Sequence, residues 1–389
     1  MRIAILTSVF VPEFGVARVI ASQLAHLVKA GICVDLYACE LDRGLLCEGV
    51  RAVRVPTHLR GLRRALMRGR YDVIVAHTDP FYKFLAENDF GAVTVGYEHG
   101  YPPVDLCLPE EREQRLSEIG DRLGKIYPAL SCVVTISNYA VDYLQWPSAR
   151  VIYNGADHYC GKTGSAGNAA GSAENAENAE KAENAAAPVT VLAVSRFRKE
   201  EWQYKGIGYL CRLKQDLGER VKVLLVGRGD SESTEKLRQS GVEVVGMVSE
   251  QKLAELYRSC DALVSFSQWE LFNLPLAEAG FAHKPALAFN HGPHAEVSLF
   301  AFDTYEEIRD YLKNSTRESR YLDGEKMFAH VDAHFRWEYN GEKFVALLKE
   351  LCAAESGKKA SPMLALDWLK WNAREFLRKN IYKKLRGRR

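Results

Sequence analysis

The sequence predicts an α/β protein of two doubly wound domains, each a parallel β-sheet covered on both faces by helices. Three observations carry this. Short β-branched runs alternate with helical apolar patterns from residue 2 to about residue 153, and the same alternation restarts at Val189. Between them, 161–187 contains no large apolar residue. Repeated strand–helix–strand units require crossovers, and crossovers build parallel sheets buried on both sides. A chain of 389 residues suits two such domains.

In the first half, the apolar runs 2–8, 34–39, 50–55, 73–76, 92–97, 132–136 and 151–153 read as buried strands. Between the first two, Val19, Ala21, Leu24, Leu27 and Val28 fall on one face of a helix over 16–30. In the second half, strands are expected at 189–194, 221–226, 242–245, 262–266 and 285–289. Helices are expected near 206–217, 233–240, 250–259 and 275–282. The period-three Ala-Glu-Asn repeat from Ala173 to Asn184 cannot bury enough surface to offset its conformational entropy. The expected organisation is therefore a Rossmann-like domain over 1–158, a disordered low-complexity insertion over 159–188 and a second Rossmann-like domain over 189–334. A helix over 335–355 and a basic amphipathic tail over 356–389 complete it.

Composition bounds the function. Apolar residues make up 47% and charged residues 26%, ordinary for a globular protein, and no run of 18 apolar residues could span a bilayer. Met1 to Ser8 is too short for a signal-peptide core. The nine cysteines form no C-x-x-C pair, and Cys33, Cys132, Cys211 and Cys260 sit in apolar runs as small core residues. A reduced, cytoplasmic protein is expected. The net charge of +2 hides an uneven distribution: 51–70 carries seven arginines and no acid, and 361–389 carries nine Lys/Arg against two acids. Such basic patches on an acidic body suit an anionic surface.

Chemistry concentrates in the second half. Arg196 follows a buried strand, and Lys205-Gly206 opens the next helix, a placement suited to a diphosphate beside a helix N-terminus. In the segment from Gln268 to Glu278, Glu270 falls in the loop after the strand 262–266, at the edge where open α/β sheets bind ligands. Asn273 and Pro275 suit the start of a helix, which places Glu278 one turn inside it. One carboxylate can reach sugar hydroxyls and the other a ribose. Gly227-Arg-Gly229 follows a strand, but Glu232 occupies the third glycine position of a dinucleotide fingerprint, which argues against that cofactor.

Together these motifs resemble glycosyltransferase family 4, retaining enzymes of the GT-B fold, in which two Rossmann-like domains face a cleft. The family's Glu-x7-Glu motif is matched by Glu270 and Glu278, with Phe272 and Leu274-Pro275-Leu276 between them. Its Arg…Lys-Gly motif is matched by Ser195-Arg196 and Lys205-Gly206, and its Asn-Gly-x-Asp pattern by Asn154, Gly155 and Asp157. His99 matches the histidine ending an N-domain strand, and Thr135-Ile136-Ser137 a following Thr-x-Ser. The resemblance runs from Met1 to about Leu351, broken by the insertion. It implies that Arg196 and Lys205 bind the donor diphosphate, Glu278 the ribose and Glu270 the transferred sugar, with Phe272, Asn273 and Leu274 lining the donor site. It places His99 across the cleft at the sugar or reaction centre, Gly15 at the phosphates or acceptor, and Gly246, Met247 and Val248 at the nucleobase. The family's Glu-Gly-Phe-Gly becomes Glu270-Leu271-Phe272-Asn273, and Asn290 to Glu296 departs from a Gly-Gly-x-x-Glu pattern. Both changes reshape the sugar pocket.

The reading that results is retaining transfer of a hexose-type sugar from a UDP- or GDP-sugar to a cell-envelope glycan, either a lipopolysaccharide core or a lipid-linked oligosaccharide. The alternatives are another activity on this fold, such as an epimerase or phosphorylase, and a non-catalytic scaffold or membrane-binding module. No cofactor and no metal are expected, because the chain has no Asp-x-Asp and its histidines form no H-E-x-x-H motif. Leu59, Leu62 and Leu66 share a helical face among five arginines in 58–70. With the tail, this suits either the inner face of the cytoplasmic membrane or a helix docked on the body with a solvated basic end. No nucleic-acid module accompanies the charge.

Overall fold

A computed structural model describes residues 1–12, 14–159 and 188–359, without the side chains of 356–359. The low-complexity insertion and the basic tail lie outside the described residues, apart from their edges.

The first half contains β1 (Arg2–Phe10), α1 (Gly15–Lys29), β2 (Cys33–Leu41), β3 (Arg51–Arg54), α2 (Leu62–Gly69) and β4 (Val73–Ala76). It continues with α3 (Phe81–Ala86), β5 (Val93–Tyr97), α4 (Arg112–Asp121), β6 (Cys132–Thr135), α5 (Asn138–Tyr143) and β7 (Arg150–Val151). The strands form one parallel sheet in the order β3-β2-β1-β4-β5-β6-β7. The second half contains β8 (Val189–Val194), α6 (Gly208–Leu217), β9 (Val221–Val226), α7 (Ser231–Gln239), β10 (Glu243–Gly246), α8 (Glu250–Ser259) and β11 (Ala262–Ser265). Then come α9 (Leu274–Phe281), β12 (Ala286–Phe289), α10 (His294–Val297), β13 (Phe300–Phe302), α11 (Tyr305–Asn314), α12 (Arg317–His334) and α13 (Trp337–Lys359). Its parallel sheet has the order β10-β9-β8-β11-β12-β13. Both sheets reverse their winding beside the first strand, between β1 and β4 and between β8 and β11. Crevices open at such switch points, outside the carboxyl ends of the strands.

Local chemistry explains the element ends. Asp230 caps α7 by accepting from Ser233 N at 2.8 Å, Ser249 caps α8 from Lys252 N, and Thr304 with Glu307 forms a capping box on α11. Helix α6 begins at Gly208, two residues later than its apolar pattern suggests. Gly206 turns there at φ +63°, where an added Cβ would lie 2.0 Å from the Phe266 carbonyl oxygen, so only glycine fits. The three-residue edge strand β13 is absent from the sequence expectation because so short a run has no readable period.

Two crossings join the halves, and they bind each other. Ala156 N donates to Phe335 O at 2.8 Å, and Asp157 Oδ1 accepts from Trp337 N at 2.9 Å at the start of α13. From there α13 packs back on the first half: Phe344 meets the Tyr97 ring edge-on at 5.5 Å, and Arg150 pairs with Glu350 at 3.0 Å. The Asn-Gly-x-Asp pattern thus builds this junction.

For 58–70 the structure decides between the two readings, in favour of a helix docked on the body. Leu62 and Leu66 of α2 are 2% exposed, and Leu59 packs against the same core, so the apolar stripe of 58–70 is spent inside the domain and cannot enter a membrane. The arginines of that segment are all exposed. Among the described residues no helix is long and apolar enough to cross a membrane.

Candidate active site

The site is built from the loops that leave β1, β4 and β5 in one half and β8, β9 and β11 in the other. The N-termini of α1 and α9 meet across the cleft: a Cβ added to Gly15 would lie 3.5 Å from Leu274 Cδ1. Two helix N-termini converging on one point present partial positive charge to an anion. On the next pair of loops, a Cβ on Gly100 (φ +84°) would lie 2.3 Å from Leu271 Cδ1 and 3.2 Å from Trp269. Leu271, which replaces a glycine of the family pattern, is therefore accommodated by the bare backbone of Gly100 opposite.

The second substitution is explained as directly. Asn273 holds a left-handed backbone at φ 53°, ψ 72°, which asparagine tolerates better than other side chains. Its amide donates to Ser265 Oγ at 2.9 Å and lies 2.9 Å from His294 Nε2, while His294 Nδ1 reaches Phe289 O at 2.7 Å. Asn273 occupies the N-cap position of α9 but makes no side-chain cap, contrary to the capping role its position suggests. The backbone turn of a glycine is kept, and the α9 N-terminus stays without a side-chain cap.

The two expected phosphate cations each hold a carboxylate. Lys205 Nζ lies 2.6 Å from Glu270 Oε1, with both side chains partly buried. Arg196 Nε lies 3.0 Å from Glu201 Oε1, and Glu201 is 5% exposed. Glu201 was invisible as a site residue in the sequence, lost among Arg198, Lys199 and Glu200. Lys205 is fixed from below by the β11 exit, where Gln268 N donates to Tyr204 O at 2.7 Å.

Glu278 sits inside α9, 6% exposed, with both oxygens approached. Tyr257 donates its hydroxyl to Oε2, and His158 Nε2 lies 3.0 Å from Oε1, in contact though not aligned for a hydrogen bond. Burial raises its carboxyl, but His158, the Arg18 charge and Tyr257 outweigh that and hold it below its usual range. Arg18 of α1 pairs with Glu250 at 3.0 Å and lies over the Tyr159 ring. A carboxylate expected to face an open ribose pocket is thus covered by His158.

His99 is brought to the cleft edge beside Gly100, but its Nε2 is taken by His77 Nδ1 at 2.9 Å. Preceding it, buried Glu98 pairs with Arg122 and accepts from Tyr127 Oη at 2.9 Å, which fixes the strand end. Phe272 is buried and packs edge-on to Phe335 at 5.2 Å, so it supports the loop and does not line an open pocket. Gly246 leaves β10 at φ +80° with its carbonyl accepting from Gly227 N at 3.0 Å; Met247 is exposed and Val248 half-buried. The sequence also missed Glu296, whose carboxylate accepts from Asn138 N at 2.9 Å, Tyr139 N at 2.7 Å and Tyr153 Oη at 2.7 Å across the cleft. Among the described residues no cluster of three or more His, Cys, Asp or Glu is placed to hold a metal ion.

Comparison with known proteins decides the family. Residues 15–159 match the family described as Glycosyltransferase Family 4, and residues 188–304 match Glycosyl transferases group 1. The chain is a family 4-like glycosyltransferase. No curated protein matches the sequence significantly. Among solved structures, sucrose-phosphate synthase from Thermosynechococcus elongatus aligns with a TM-score of 0.70 at 19% identity, over 91% of this chain and 100% of that one. HepE from Anabaena, in complex with UDP and glucose, aligns with a TM-score of 0.67 at 17% identity, over 90% and 100%. WaaG, a glycosyltransferase involved in lipopolysaccharide biosynthesis, aligns with a TM-score of 0.61 at 16% identity, over 89% and 99%. These likenesses establish the GT-B fold of this glycosyltransferase.

Proposed function

We propose that this glycosyltransferase moves a hexose-type sugar, with retention, from a UDP- or GDP-sugar to a cell-envelope glycan. The observation that carries the reading is the convergence of two helix N-termini, at Gly15 and Leu274, with Lys205 and Glu270 in one cleft. As the bond between sugar and diphosphate breaks, negative charge grows on the leaving phosphate. Arg196, Lys205 and the helix N-termini supply fixed positive charge there, and no metal is required for that step. Glu270, released from Lys205 by the incoming phosphate, is then free to accept sugar hydroxyls, and Glu278 to accept the ribose. The UDP and glucose bound to the HepE neighbour support a nucleotide-sugar donor, and the WaaG neighbour supports a lipopolysaccharide-type acceptor. The exposed arginines around α2, and exposed Leu108 and Leu116 on the segment leaving Tyr101, favour an acceptor carried on an anionic membrane surface.

The test is a thermal-shift panel of UDP, GDP, ADP and their sugars, followed by transfer with the best donor to a lipopolysaccharide core or lipid-linked oligosaccharide. Stabilisation by UDP or GDP, transfer that persists in EDTA, and a product that keeps the donor's anomeric configuration are expected. No stabilisation by any nucleotide would instead indicate a scaffold. Release of free sugar or isomerised donor, without transfer, would indicate a different activity on the fold.

A further inference from the structure

His77 follows β4 directly and His99 lies two residues beyond β5, and the two imidazoles share one hydrogen bond between His77 Nδ1 and His99 Nε2 at 2.9 Å. Their rings stack with Tyr97: His77 lies 4.8 Å from it and 5.2 Å from His99. His77 is 0% exposed, and its other nitrogen, Nε2, is buried with no partner. Burial holds both imidazoles far below the ordinary histidine range, His99 at about 3, so both are neutral at working pH.

Two neutral imidazoles can share this bond in two ways. If His99 donates, the His77 proton must sit on Nε2, which leaves an N–H group buried without an acceptor. If His77 donates from Nδ1, its buried Nε2 carries only a lone pair. An orphaned buried donor is the rarer arrangement. The second arrangement is therefore the favoured one, and with it the tautomer of His99 in which Nε2 accepts and the proton resides on Nδ1. Nδ1 has no hydrogen-bond partner among the described residues, and His99 adjoins Gly100, the point where this loop touches Leu271 across the cleft.

We infer that His77 is a positioning residue that sets His99 as a neutral Nδ1–H hydrogen-bond donor towards an oxygen of the bound nucleotide sugar. On this assignment His99 neither carries a proton into the reaction nor acts as a base. The inference rests on the proposed function for the identity of the substrate, but the tautomer assignment stands apart from it.

The experiment separates the two. Long-range ¹H–¹⁵N correlation spectra of the ¹⁵N-histidine-labelled enzyme report the tautomer of each ring, with H99A and H77N assigning the signals. His99 protonated at Nδ1 in the native enzyme is expected; protonation at Nε2 overturns the assignment. His77→Asn keeps a donor near the Nδ1 position and should keep the His99 tautomer and turnover. His77→Leu removes the donor; kcat should fall by about 10²-fold with donor KM unchanged. The assay uses UDP-glucose, or GDP-mannose if that nucleotide sugar stabilises the enzyme more. A His77→Leu enzyme that is folded by circular dichroism and keeps native kcat overturns the positioning role. Full turnover in His99→Ala, with the native tautomer as assigned, would instead sink the substrate contact while leaving the His77–His99 arrangement intact.

Discussion

Lys205 Nζ and Glu270 Oε1 lie 2.6 Å apart, so the cation assigned to the donor phosphates and the carboxylate assigned to the sugar hold one another. A ligand that takes both must break this pair, and the two residues should act as a unit. Lys205→Ala should lower kcat by about 10²–10³-fold. Glu270→Gln should also be impaired, and the double variant should be less defective than the sum of the two losses. Strict additivity in a double-mutant cycle on turnover would show that the two residues act independently and not as a unit.

Glu278 offers a second such contest. His158 Nε2 lies 3.0 Å from its Oε1, so on the proposed function a ribose taken by Glu278 has to displace the imidazole. Removing a competing polar contact of this kind is worth about 0.5–1.5 kcal/mol. His158→Ala should bind UDP or GDP several-fold more tightly by calorimetry, whereas Glu278→Gln should bind more weakly. Weaker binding by His158→Ala would mean that the histidine supports the carboxylate.

The Glu296 carboxylate takes two backbone N–H groups at the start of α5 from the opposite half of the molecule. It caps the helix together with Ser137, which accepts from Ala140 N at 3.2 Å. Glu296→Ala should cost about 1–2 kcal/mol of stability, the usual scale for a lost cap. Small-angle scattering should show a wider distribution of dimensions in the free enzyme. An unchanged melting temperature and unchanged scattering would remove Glu296 as a tie between the halves.

The buried histidine pair fixes the sign of an acid effect. His77 and His99 are neutral when folded, His99 with its value near 3, but take up protons in the unfolded chain near 6.5. Between those limits the unfolded state binds more protons, so stability falls as pH falls through that window. His77→Asn should flatten the decline in melting temperature between pH 6.5 and 4.5. Parallel profiles for native and variant enzymes would refute this origin.

Because Leu62 and Leu66 are buried, membrane contact by the α2 region must be electrostatic. Vesicles containing phosphatidylserine should bind the protein, zwitterionic vesicles should not, and salt should release it. Replacing Arg63, Arg64 and Arg68 by glutamate should weaken binding by about 1 kcal/mol per residue changed from its attraction to the surface. Salt-insensitive binding would point to apolar insertion by another segment.

The fold was legible because a parallel sheet writes itself as repeated apolar runs, and the strands at 73–76, 189–194 and 221–226 appear with the bounds their patterns suggest. The spacing of Glu270 and Glu278 and the placing of Arg196 and Lys205 were legible for a similar reason: they sit at fixed offsets from strand ends. The partners of these groups were not. Tyr257 and His158 gain their roles from contacts between distant segments, whereas Glu201, five residues from Arg196, is hidden in a loop of mixed charges. His77 did carry a signal, a polar residue directly after an apolar strand, as His99 is a polar residue just beyond another. The stripe Leu59, Leu62, Leu66 left two readings open, because helical periodicity shows that a face is apolar without showing what covers it.

The paired crossings at Ala156 and Phe335 have a consequence for how the enzyme can be taken apart. The second sheet is inserted, as a unit, into a first half that is completed only by α13. A chain nicked between 159 and 188 would leave that closing helix on the wrong fragment. The fragments would then have to find each other to restore the first half's surface. The natural cut in sequence is therefore a route to a split enzyme whose reassembly can be read as recovered sugar transfer, not a route to two independent domains.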